Sequence, residues 1–90
     1  MYLDFRWNEW NLLHIAKHAV TVPEAEAVVR GARRPYPRQT SNEKVLVRGR
    51  TAAGRYLQVI YVVDPDETLY IIHARPLSDT EKRRLRRSIK

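Results

Sequence analysis

The sequence contains no cysteine. That excludes disulfides, thiolate metal sites and cysteine nucleophiles, and it suits a reducing interior. No apolar run approaches the ~18 residues that span a bilayer. The opening Met1-Tyr2-Leu3-Asp4 carries no signal-peptide pattern. A soluble cytoplasmic protein with no membrane contact is therefore expected. No internal repeat and no linker divides the chain, so residues 1–90 are expected to form one domain with a single modest core. A chain of this size buries roughly 60–65% of its unfolded surface. Acid is also scarce. Ten Asp and Glu stand against 17 Lys and Arg, for a net charge of +7. Such an imbalance points to a polyanion or an acidic protein as partner.

Local signals organise the chain. Tyr2 to Arg6 alternates apolar and polar residues and suggests a short edge strand. Asn8 can cap a helix over Glu9 to His18, on which Trp10, Leu13 and Lys17 share a face. Trp7 and Trp10 read as core and staple residues. Thr21-Val22-Pro23-Glu24 fits a capping box, with Val20 and Ala25 as a small staple. Val22, Ala25, Val28 and Val29 then recur at helical spacing until Gly31. Ala32 to Asn42 reads as a loop. Glu43 to Arg50 reads as a strand, Thr51 to Gly54 as a hairpin turn, and Arg55 to Val63 as the central strand. Asp64 to Glu67 turns the chain into a strand over Thr68 to Arg75. Ser78-Asp79-Thr80-Glu81 caps a final helix whose apolar seam is only Leu85 and Ile89. This order predicts an α+β domain: two N-terminal helices, a three- to four-stranded antiparallel sheet and a C-terminal basic helix.

Alternation along the last strand predicts that Leu69, Ile71, His73 and Arg75 share a face, opposite Tyr70, Ile72 and Ala74. Lys44, Arg48, Arg50, Gln58, His73 and Arg75 are then candidates for the less covered face. Metal-independent RNA cleavage needs a base for the 2′-hydroxyl, cations for the transition state and an acid for the leaving oxygen. His73 is the natural titrating candidate. Arg48, Arg50, Arg55 and Arg75 can neutralise phosphate bidentately, and Tyr56 or Tyr61 can stack on a base or donate a proton. The last helix adds Lys82, Arg83, Arg84, Arg86, Arg87 and Lys90 as an electrostatic arm. His14 and His18 stand at zinc spacing, but no Cys or adjacent Glu completes a set, so no metal and no cofactor is expected. Packing or capping is the plainer role for both. The same basic surface also fits a non-catalytic nucleic-acid-binding module, or one that docks an acidic protein.

Phe5-Arg6-Trp7, Lys17-His18-Ala19-Val20-Thr21 and Glu24-Ala25 resemble the "W…KHGV(S/T)…EA" opening of BrnT-type toxins. Arg48-Gly49-Arg50, Gly54-Arg55-Tyr56-Leu57, Val59-Ile60-Tyr61 and Ile71-Ile72-His73-Ala74-Arg75 resemble that family's "G(R)…GR.L.VVY…RIISAR" block. Glu81-Lys82-Arg83-Arg84 resembles its "ERR" helix. The resemblance covers most of the chain. It implies a RelE-like fold, translation-blocking endoribonuclease activity and membership of a type II toxin–antitoxin pair. The implied partners are RNA, free or on the ribosome, and a DNA-binding antitoxin that neutralises the toxin in a dimeric assembly. Residue by residue, it implies Lys17, His18, Arg50, Arg55 and Arg75 as functional. Asn8 stands where the family has Asp, Ala19 where it has Gly and His73 where it has Ser, and the spacing from Trp7 to His18 is shortened. These departures mark a divergent branch, and His73 as a candidate comes from chemistry alone.

Overall fold

The computed structural model describes residues 3–88. Tyr2 of the expected first strand, Ile89 of the expected seam and Lys90 lie outside those residues. The elements run β1 (Phe5–Arg6), α1 (Glu9–Ala16), α2 (Val22–Arg30), β2 (Arg38–Gln39), β3 (Val45–Arg50), β4 (Tyr56–Val63), β5 (Leu69–Pro76) and α3 (Asp79–Ser88). The fold is α+β. Its sheet has five strands in the order β1-β5-β4-β3-β2, with β4 at the centre. This corrects the expected three- to four-stranded antiparallel sheet in two places. β1 pairs parallel with β5, locked by the Leu69 N–H donating to the Asp4 carbonyl at 2.9 Å. Arg38 and Gln39, read as loop, pair antiparallel with Leu46 and Val45, beside a 3-10 turn over Ser41–Glu43.

The three helix starts follow from side-chain caps. The Asn8 and Asn11 side chains each accept the other's backbone N–H, at 3.2 and 2.8 Å. Thr21 and Glu24 do the same at 3.3 and 3.0 Å, as do Ser78 and Glu81 at 3.2 and 2.8 Å. Each pair satisfies donors that a helix start leaves free. α1 ends two residues before His18 in a Schellman turn: the Ala19 N–H donates to Ala16 O at 3.0 Å and the Val20 N–H to Ile15 O at 3.2 Å. Ala19 takes the left-handed position at φ 55, and Ile15 and Val20 bury the apolar contact that accompanies such turns. The β3–β4 hairpin closes over Gly54 at φ +91, a conformation that disfavours side chains. The Gly54 N–H reaches Thr51 O at 2.9 Å there.

α2 packs on β3 and β4, and α1 on β5. Val47, Leu57, Val59, Ile71 and Ala74 form the buried centre with Ile15, Ala25 and Val28. The face of α1 differs from expectation. Its buried residues are Asn11 and Ile15, while Trp10 is 49% and Leu13 58% exposed. Asn11 is buried because it also donates from Nδ2 to Arg6 O at 3.0 Å, so the polar residue links the cap to β1. Trp7 does pack against the core, and its Nε1 donates to Glu26 at 2.8 Å.

β5 departs from simple alternation. Ile60 pairs with His73 and Tyr61 with Ile71, which leaves Ile72 as an extra residue in a β-bulge. Leu69 and Ile71 therefore share the core face with Ala74, not with His73 and Arg75. His73 and Arg75 keep company with Tyr70 on the opposite face. Tyr61 sits on the core face and is buried, and burial raises its phenol's pKa. The role expected for Tyr61 in stacking or proton donation is corrected accordingly.

Candidate nucleic-acid interface

The face opposite α2 carries a polar band, set by strand register. Arg48 pairs with Gln58 and Arg50 with Tyr56 across β3–β4. Gln58 pairs with Arg75 and Ile60 with His73 across β4–β5. α3 lies over part of this band, anchored by buried Leu85.

The centre of the band is closed by Glu81. Its carboxylate accepts from Arg75 Nη1 and Nη2 at 2.8 Å each and from Arg48 Nη2 at 3.2 Å. Gln58 Oε1 accepts from Arg48 Nε at 2.9 Å. The hydrogen bonds from Arg75 hold the Glu81 carboxyl far below the ordinary carboxylate range, helped by the Ser78 N–H and the Arg48 charge. Glu81 raises Arg75 in turn. Two of the four arginines expected to hold phosphate, Arg48 and Arg75, are thus matched internally.

Beside this knot, at the hairpin end, lies an open cleft of about 510 Å³ lined by Arg33, Arg48, Arg50, Tyr56, Leu85 and Arg86 among others. The guanidinium carbons of Arg50 and Arg86 lie 5.9 and 5.3 Å from the Tyr56 ring centroid, and Lys82 Nζ lies at 5.9 Å. Arg86 Nε donates to the Tyr56 hydroxyl at 3.5 Å. Arg86, then Arg50, favour the phenolate and lower the Tyr56 pKa. Among the described residues neither Arg50 nor Arg86 has a carboxylate partner.

His73 stands at the other end of the band, its ring edge-on to His18 with centroids 5.7 Å apart. Burial lowers its pKa, and the charges of Arg75, His18 and His14 lower it further. Its strand partner Ile60 is four residues from Tyr56, about 13 Å along a strand. His73 and Tyr56 therefore cannot act on the same phosphate.

The residues singled out from the sequence are thus distributed, not gathered. Arg50, Arg48 and Tyr56 meet at the cleft. Arg75 is in the Glu81 knot. Lys17 and His18 are exposed at the far end. Arg55 points to the opposite face of β4: its Nη1 donates to Ala19 O at 2.6 Å and to Glu24 at 3.0 Å. It ties the α1–α2 turn to the sheet. On α3 the flank facing Tyr56 carries Lys82 and Arg86. Arg83 and Arg87 lie on the side away from Leu85, with Arg84 lateral, by helical spacing. Lys82 and Arg86 as site residues were legible only from their i, i+4 spacing beside Leu85. Among the described residues no three His, Asp or Glu are placed to hold a metal. No family model matches the chain, and no curated protein or solved structure does.

Proposed function

We propose that this protein binds RNA along the polar band and cleaves it without a metal, as the toxin of a type II toxin–antitoxin pair neutralised by a protein antitoxin. The observation that carries this reading is the Tyr56 phenol, lowered by two guanidiniums that lack carboxylate partners, at an open cleft. In the reaction Tyr56, as the phenolate that Arg86 and Arg50 favour, takes the 2′-hydroxyl proton and becomes the phenol, the 2′ oxygen bonds to phosphorus, and the bond to the 5′ oxygen breaks. That oxygen takes a proton from water, giving a cyclic phosphate and a 5′-hydroxyl. Arg50 and Arg86 neutralise the charge gathering on the phosphate oxygens. Further support comes from Ala19, whose left-handed φ of 55 falls where the resembled BrnT-type motif has Gly. The cytoplasmic location and the dimeric toxin–antitoxin assembly belong to the same proposal.

A second reading is non-catalytic RNA binding, favoured by the dispersal of His73, Arg75 and Tyr56 along the band. One assay separates the two. Purified protein is incubated with labelled RNA in EDTA, and growth is followed on induction in cells. Cleavage and growth arrest are expected, with Tyr56→Phe slowing cleavage by roughly 10²–10⁴-fold. Salt-dependent binding without cleavage would establish the second reading. In either case Arg50→Ala lowers the slope of log affinity against log salt by about 0.7. RNA that is neither bound nor cut would refute both.

A further inference from the structure

α1 exposes a stripe that its own packing does not require. The helix buries Asn11 and Ile15, yet carries Trp10 and Leu13 outward at 49% and 58% exposure. Trp10 is not loose. Its ring stacks on His14 with centroids 3.9 Å apart and planes 23° apart. On β5, Tyr70 lies nearly parallel to it, at 6.2 Å and 25°. Tyr70 is fixed at both its edge and its face. Its hydroxyl bonds Asn8 Oδ1 at 3.1 Å, and the Arg6 guanidinium carbon stands 3.8 Å from its ring centroid. Arg6 is held by Asp64 at 2.7 Å. The result is a ladder of flat π-systems, ordered in advance, in which Trp10 remains about half exposed to solvent.

The ladder adjoins the polar band. Tyr70 and His73 share a face of β5, and His18 touches His73. Lys17, one turn along the same stripe, is exposed and has no carboxylate partner among the described residues. Tyr70 pairs with Val62, six residues from Tyr56, so the platform stands about 20 Å along the sheet from the cleft and two strand spacings, about 10 Å, across it, a span of several nucleotides. We infer that Trp10, backed by His14 and Tyr70, is a stacking platform for an unpaired base of the same RNA strand whose phosphates lie in the cleft. The inference rests on the RNA-binding reading and adds the subsite that takes the bases. An aromatic surface bordered by cations suits a single strand, because every base offers a π-face and every link a negative charge.

The test uses fluorescence anisotropy with a labelled single strand of about eight nucleotides, in 2′-deoxy form so that it is bound without being cut. Trp10→Ala, Trp10→Phe and Trp10→Leu change an exposed position, and thermal melts confirm that each folds. Stacking predicts that Trp10→Ala weakens binding by about 5- to 150-fold, that Trp10→Leu does likewise, and that Trp10→Phe retains most of the affinity. An oligomer with abasic sites should bind wild type as weakly as the intact strand binds Trp10→Ala. Ala and Leu variants within about twofold of wild type would overturn the platform. If Arg50→Ala and Arg86→Ala still weaken binding in that case, the cleft reading stands without it. A Leu variant that keeps what Ala loses would also overturn it, and would mark the stripe as an apolar docking face for a protein. A strand that does not bind wild type at any salt concentration refutes the RNA reading and the platform together.

Discussion

Replacing Glu81 with Gln is expected to weaken the fold and strengthen phosphate binding at once. The carboxylate has three jobs: it bonds Arg75 twice at 2.8 Å, bonds Arg48 at 3.2 Å, and accepts the Ser78 N–H that starts α3. Gln keeps an acceptor for Ser78, so the cap survives while the charge is lost. The side chains of Glu81, Arg48 and Arg75 are 18%, 19% and 30% exposed. Their tie therefore falls between an exposed pair, worth at most about 1 kcal/mol, and a fully buried one, whose breakage costs about 3–5 kcal/mol. A loss of about 2 kcal/mol follows. For a domain of this size each kcal/mol moves Tm by about 4–8 °C, so a drop of about 8–16 °C should appear in a circular dichroism melt. Glu81→Ala should lose about 1 kcal/mol more through the cap. Arg75→Ala should cost much less in the Glu81→Gln background than in wild type, a coupling of about 1–2 kcal/mol. The pH dependence has a definite sign. The folded pKa is depressed, so this stability is complete above the unfolded value of about 4.5 and is lost as pH falls toward the folded one. Glu81→Gln should flatten that acid limb. Meanwhile two freed guanidiniums should tighten binding to single-stranded oligonucleotides. A Tm within about 2 °C of wild type, or no coupling between Arg75 and Glu81, would refute this account.

Ala19→Gly should stabilise the protein by about 0.5–1 kcal/mol in urea unfolding. It relieves the left-handed φ of 55, a conformation that costs an L-residue about 1–2 kcal/mol, against a smaller loss from the freer unfolded chain. A destabilised variant would contradict the Schellman assignment. His73 has a folded pKa below its ordinary 6.5, because burial and the neighbouring Arg75, His18 and His14 all oppose its charge. Its contribution is therefore intact above about pH 6.5 and lost as pH falls through the folded value. Wild type should lose more Tm between about pH 7 and pH 5 than His73→Asn does, and parallel losses would discount the effect.

What the sequence made legible was what is local. The three caps span four residues each, and a hydroxyl or amide at one end with Glu or Asn at the other suffices to form them. The β3–β4 hairpin and the central place of β4 follow from a Gly-ended turn and a β-branched run. The face of α1 was misread because hydrophobicity was weighed without hydrogen bonds. Asn11 is buried for the three bonds that it makes, and Trp10 was freed to stack outside. The site was harder still. The surroundings of Tyr56 depend on Arg86, thirty positions away, and the closure of Arg48 depends on Glu81 at a separation of 33. The opposed orientations of Arg50 and Arg55 follow from register, which composition does not encode.

The bulge at Ile72 divides β5 into two half-strands running out of phase. Up to Ile71 the odd-numbered positions face the core, and from His73 onward the even-numbered ones do. One surplus residue therefore lets a nearly continuous apolar ribbon seal the interior at its start and present a charged row at its end. The two halves are mechanically joined yet informationally separate. A substitution pattern acceptable before Ile72 becomes its mirror image after it. Removing Ile72 itself would leave one unbroken alternation, with Leu69, Ile71 and Ala74 still inward and Tyr70, His73 and Arg75 still outward, whereas inserting or deleting a residue on either side of it would turn one half of the strand inside out.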